Sequence, residues 1–167
     1  MAHAQGHVFL LTAMLALAAS SDAARRRIPN WITVAIAVTG LASQWIGGGL
    51  RAAGGGLLAG IGVGAFLAPF WMKRGIGGGD LKLGAAAAAW VGLARLPHYM
   101  LASTLVGAVV AVACYAASSI EARGFIRANL HALHAPTWPR AAGSPGKTVL
   151  VPYGVGFAVG ALYALHL

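Results

Sequence analysis

Ala52 to Met72 reads AAGGGLLAGIGVGAFLAPFWM, twenty-one consecutive residues without a charged side chain. A bilayer core about 30 Å thick is crossed by roughly 17 to 25 apolar residues in a helix, because in hydrocarbon every backbone N–H and C=O has to be bonded within the segment. Working outward from this stretch, five others resemble it: Val8 to Ala24, Trp31 to Gly49, Asp80 to Leu96, Tyr99 to Ser118 and Val149 to Leu167. The Asp80 segment is the weakest, with Lys82 and Arg95 near its ends and an Ala85 to Ala89 run that favours helix more than lipid. The longest polar connection, Ser119 to Thr148, spans thirty residues and leaves no room for a separate soluble domain. The expectation is an all-α bundle of about six transmembrane helices forming one membrane domain over residues 1–167.

Composition points the same way. Apolar residues make up 59% of the chain and charged residues 9%, against about 45 to 50% and about 25% in soluble domains. The formal charge of +9 would suggest nucleic acid if it formed a patch on a polar fold. Here the cations sit between apolar segments, which argues for topology and against nucleic acid as a partner. Arg25, Arg26, Arg27, Lys73, Arg74, Lys82, Arg123, Arg127, Arg140 and Lys147 fall on one side of the expected bundle, and Arg51 and Arg95 on the other. The positive-inside rule then puts the larger group in the cytoplasm and both termini outside. Ala18 to Ala23 looks like a signal-peptidase site, but no lysine or arginine precedes that first apolar run, so a retained helix is expected.

Glycine is placed with a pattern. Gly56, Gly60 and Gly64 repeat every four residues, as do Gly156 and Gly160, and small residues at that spacing let helix backbones approach closely in lipid. Gly75 to Gly79 differs, because it lies in an expected loop and leads into Asp80.

Asp22, Asp80 and Glu121 are the only acids in the chain. An ionisable group bordering hydrocarbon is costly and tends to be kept for a use. Two membrane crossings separate Asp22 from Asp80, which brings both to one membrane face. Two carboxylates confined together push one pKa up and share a proton. The ionised one takes a proton from water while the protonated one donates to a scissile carbonyl oxygen. That chemistry needs no metal and no cofactor. Glycines ahead of Asp80 would let an extended backbone approach it. Other readings remain open: Asp22 as a helix end paired with Arg25 or Arg26, Asp80 as an N-cap, or both acids as ion sites of a small ion- or proton-coupled transporter with the glycines as a hinge.

Asp22 to Asn30 reads DAARRRIPN, and Gly77 to Leu83 reads GGGDLKL. Both resemble the signature segments of the type IV prepilin peptidases, membrane aspartyl proteases with a Gly-x-Gly-Asp motif, and Val151 to Gly154 resembles that family's last helix. The resemblance implies that Asp22 and Asp80 are the catalytic pair, that Gly77 and Gly79 shape the substrate site, and that Lys82 belongs to it. Longer family members add a region with paired cysteines and an N-methyltransferase activity; this chain has only Cys114 and no room for that region. Its short form is most similar to the peptidases of tight-adherence (Flp) pilus systems. This implies cleavage of prepilin and pseudopilin precursors at the junction of a basic leader and an apolar helix, on the cytoplasmic face of the bacterial inner membrane.

Other patterns carry less. Arg123, Arg127, His131 and His134 recur at helical spacing, consistent with a short basic helix on anionic inner-membrane lipid or with a solvated loop. The Gly143 to Thr148 segment lacks the leading glycine of a phosphate loop, with Ala141 in its place. His131 and His134 have no further ligands nearby to complete a zinc site.

Overall fold

In the computed structural model the described residues are 2–25, 29–72, 76–117 and 153–166. The expected surface helix around Arg123 to His134, Glu121, and the loop with Gly143 to Thr148 lie outside them. Among the described residues the regular structure is helical: α1 (Ala2–Arg25), α2 (Asn30–Met72), α3 (Gly78–Val91), a 3₁₀ turn (Leu93–Arg95), α4 (Leu96–Ala117) and α5 (Tyr153–His166). The chain divides into two compact units, Met1–Ala108 with Pro152–Leu167, and Val109–Val151. In the second, the described residues are the last turns of α4, with Val109 and Val112 exposed and Cys114 half-buried. All contacts below lie within the first unit.

The expected break between the second and third segments sits inside α2. Gly48 (φ −148°, ψ 16°) and Gly49 (φ 64°, ψ −159°) leave helical geometry. On a straight helix residues 44 and 56 would stand about 18 Å apart. Instead, a Cβ on Gly56 would lie 3.4 Å from Gln44 Cγ and 3.4 Å from Leu41 Cδ2, so the chain doubles back at the two glycines. Gly49 is in a region of dihedral space that only glycine enters without strain.

Helix α3 runs between the two halves of α2. It is parallel to the first half, where Gly40 meets the Trp90 ring and Gln44 Nε2 donates to Trp90 O at 2.8 Å. It is antiparallel to the second half, where Cβ atoms on Gly56 and Gly60 would stand 2.7 Å from Ala89 O and 3.0 Å from Ala85 O. The four-residue glycine repeat is therefore the surface that receives α3. Between Gly156 and Ser103 the same closeness joins α5 to α4, a Cβ on Gly156 lying 3.0 Å from Ser103 O. Helix α5 also packs on α3 and α1.

This packing explains why the fourth expected segment reads weakly as a membrane helix. Leu83, Gly84 and Ala86 to Val91 are all buried, in contact with protein instead of lipid, and alanine is the side chain that fits between closely spaced helices. The segment is also shorter than expected, ending at Val91. Gly92 takes φ 77°, its N–H bonds Ala88 O, and Gln44 Nε2 donates to Trp90 O, so two of the carbonyls at the helix end are partnered. Large apolar side chains point outward elsewhere, Phe66 being 58% exposed and Leu105 59%.

Two stretches, Asn30–Met72 and Leu93–Ala117, are long and apolar enough to cross a membrane. Helices α3 and α5, at fourteen residues each, are shorter than the roughly 17 to 25 residues of an independent span. Among the described residues the all-α reading holds, with two candidate membrane-spanning stretches in it, one of them folded back at Gly48 and Gly49; six separate spans are not shown.

Candidate active site

The site grows from the start of α3. Gly77 is the N-cap, with extended backbone (φ −70°, ψ 146°), and its carbonyl accepts from Leu81 N–H at 3.1 Å. Gly78 and Gly79, expected in a loop, are the first two helical residues, and Asp80 is the third. The N-cap reading of Asp80 is thereby corrected: Gly77 holds that position, without a side-chain cap hydrogen bond, and Asp80 stands three residues further on, inside the first turn. The carboxylate is 8% exposed and sits in the first turn, where the helix dipole favours negative charge.

Each glycine of the motif has distinct surroundings. A Cβ on Gly77 would lie 3.2 Å from Asp80 Oδ2, so a side chain there would crowd the carboxylate. A Cβ on Gly78 would lie 3.1 Å from Trp71 Nε1, which sets the end of α2 against the start of α3. Gly79 is half-buried beside Asp80. Lys82 is exposed, and its Nζ donates to Asn30 Oδ1 at 2.9 Å.

That hydrogen bond joins the two signature segments, since Asn30 ends the first and Lys82 lies in the second. Helix α1 reaches the same end. It runs antiparallel to the first half of α2, with Thr39 Oγ1 3.7 Å from Met14 Sδ and with Leu17 beside Trp31 and Ile32 along an apolar groove. The last turn of α1, to which the backbone of Asp22 belongs, therefore lies toward the end of α2 where Asn30 meets Lys82. The Asp22 side chain, Arg26, Arg27, Lys73 and Arg74 fall outside the described residues. Arg51 follows the Gly49 reversal and Arg95 lies in the 3₁₀ turn after Gly92. A Cβ on Gly55 would be 3.6 Å from Leu93 Cβ, so these two cations share the opposite end from Lys82.

Several residues of the site's frame escape a motif reading. Tyr99 is fully buried and its hydroxyl donates to Gly84 O at 2.9 Å, one helical turn beyond Asp80. Its signal in the sequence is a phenol within an apolar span, which has to find an acceptor. Asn30 and Gln44 are similar: uncharged polar groups among apolar residues, each bonded to α3.

No curated protein and no solved structure matches the chain. A family model described as the type IV leader peptidase family matches residues 9–112, a span that includes both Asp22 and Asp80 and stops short of Val151 to Gly154. Such a family implies a hydrolase acting on prepilin-like substrates, and the two long apolar helices agree with a membrane protein. With more than half its length matched, the chain belongs to the type IV leader peptidase family.

Proposed function

We propose that Asp22 and Asp80 are the catalytic pair of an aspartyl endopeptidase that removes the basic leader from Flp-type prepilins and pseudopilins. The observation that carries this is a buried carboxylate in the first turn of α3, at the end of α2 toward which the last turn of α1 runs, in a chain with three acids. One carboxylate takes a proton from water as the water oxygen attacks the scissile carbonyl carbon, and the other donates its proton to the carbonyl oxygen. The tetrahedral species collapses when the C–N bond breaks and the leaving amine takes up a proton from the pair. Gly77 and Gly79, with Lys82 beside them, form the substrate side of Asp80. One membrane-embedded peptidase domain, residues 1–167, holds the pair at the cytoplasmic face of the bacterial inner membrane with both termini outside. The placement of Arg51 and Arg95 away from Lys82 supports that orientation.

Coexpression with a candidate prepilin tests this. Leader removal is expected for the unaltered chain and lost in Asp22→Asn and in Asp80→Asn while membrane insertion persists. Cleavage retained by both variants would exclude the pair as the catalytic groups.

A further inference from the structure

Asn30 and Lys82 make a contact that water activation does not itself require. Asn30 opens α2 and Lys82 lies on α3, 52 positions later, yet Nζ donates to Oδ1 at 2.9 Å. The start of α2 is itself held: Thr33 Oγ1 donates to Asn30 O at 2.8 Å and Ile32 N–H to Pro29 O at 3.1 Å. The Asn30 side chain thus projects from a turn that is already braced. Both partners are exposed, and an exposed polar pair of this kind contributes little to folding. Its place is what distinguishes it. Lys82 is two residues past Asp80, Asn30 is eight residues past Asp22, and the hydrogen bond closes the gap between their two segments.

We propose that Asn30 is a positioning residue: by holding Lys82 it locks the first turns of α2 and α3 together and so sets the spacing of the segments that carry Asp22 and Asp80. This rests on the reading of those two as the catalytic pair. Two carboxylates that share a proton across a water tolerate little misplacement, and a shift of about 1 Å at a reacting centre costs on the order of a hundredfold in rate. A contact that adds little to folding still restrains where the two segments sit, and so acts modestly on turnover and not on substrate affinity.

The test uses the full-length protein in proteoliposomes with a purified prepilin, comparing Asn30→Leu, Lys82→Met, their double variant, and the conservative Asn30→Asp. Each disruptive single change is expected to lower kcat about threefold to fivefold, with KM within about twofold and the thermal unfolding midpoint unmoved. The double variant should fall no further than the worse single, because both remove one interaction. Asn30→Asp, which keeps an acceptor for Lys82, should stay within about 1.5-fold of the unaltered rate. Losses that multiply in the double variant would overturn the proposal. So would a rise in KM alone, which would leave Lys82 with its substrate-side role only, or a folded Asn30→Asp variant as impaired as Asn30→Leu. If Asp22→Asn and Asp80→Asn are inactive while Asn30→Leu turns over normally, the positioning role fails and the catalytic pair stands. Cleavage by both aspartate variants would instead remove the catalytic reading on which it rests.

Discussion

The hydroxyl of Tyr99 donates to the carbonyl oxygen of Gly84 at 2.9 Å, tying α4 to the helix that carries Asp80. Tyr99→Phe removes that donor and keeps the ring in place against Phe157, 6.5 Å away between centroids. A loss of about 1 kcal/mol is expected, read as a lower unfolding midpoint in detergent. Tyr99→Ala empties a fully buried site and should cost about 3 to 5 kcal/mol by analogy with other large aromatic truncations.

Gly56→Ala sets a methyl group 2.7 Å from Ala89 O. Backbone cannot yield as a side chain can, and overpacking of this kind costs about 1 to 3 kcal/mol. Gly54→Ala, on the same half of α2 but with nothing within 4 Å, is the control and should gain up to about 1 kcal/mol from helix propensity. Opposite shifts of the two unfolding midpoints are the expected result.

Gly49→Ala asks an L residue to adopt φ 64° and ψ −159°. A destabilisation of about 1 to 3 kcal/mol is expected for that backbone conformation, even though a Cβ there meets nothing within 4 Å. Gly47→Ala, in equally open space but before the reversal, should be neutral or slightly stabilising in the same denaturation assay.

Gly77→Ala places a methyl group 3.2 Å from Asp80 Oδ2 while leaving φ and ψ in a region alanine adopts freely. Glycine is a better N-cap than alanine, so a loss of about 0.5 to 1 kcal/mol in stability is expected. Cleavage of a prepilin should fall by about tenfold or more if the carboxylate has to hold its position within a fraction of an ångström. Activity that tracks stability alone would show that Gly77 serves only the cap.

The helices were legible in the sequence wherever a physical constraint is local. An uninterrupted apolar run and a repeat of small residues each have one good structural solution in lipid, and α1, the two halves of α2, α4 and α5 lie close to where those patterns put them. What the residues did not disclose depends on neighbours. Ala85 to Ala89 looks like an indifferent membrane segment until the glycine face of α2 is seen to require a slim partner. Asp80 looks like a cap until Gly77 is seen to hold that position. Of the candidate site, the motif glycines and both acids were visible as a pattern. Asn30 lay inside the quoted segment without a role, because a hydrogen bond between residues 52 apart leaves no periodic trace.

The enclosure of α3 has a consequence for how the protein meets different hosts. A helix facing acyl chains adjusts its tilt to the thickness of the membrane around it, at a cost of fractions of a kcal/mol per ångström of mismatch. Helix α3 is buried among its neighbours along nearly its whole length, so the depth of Asp80 is referenced to protein and not to lipid. Bilayers of shorter or longer fatty acids would then strain the outer helices first and leave the carboxylate's immediate surroundings as they are.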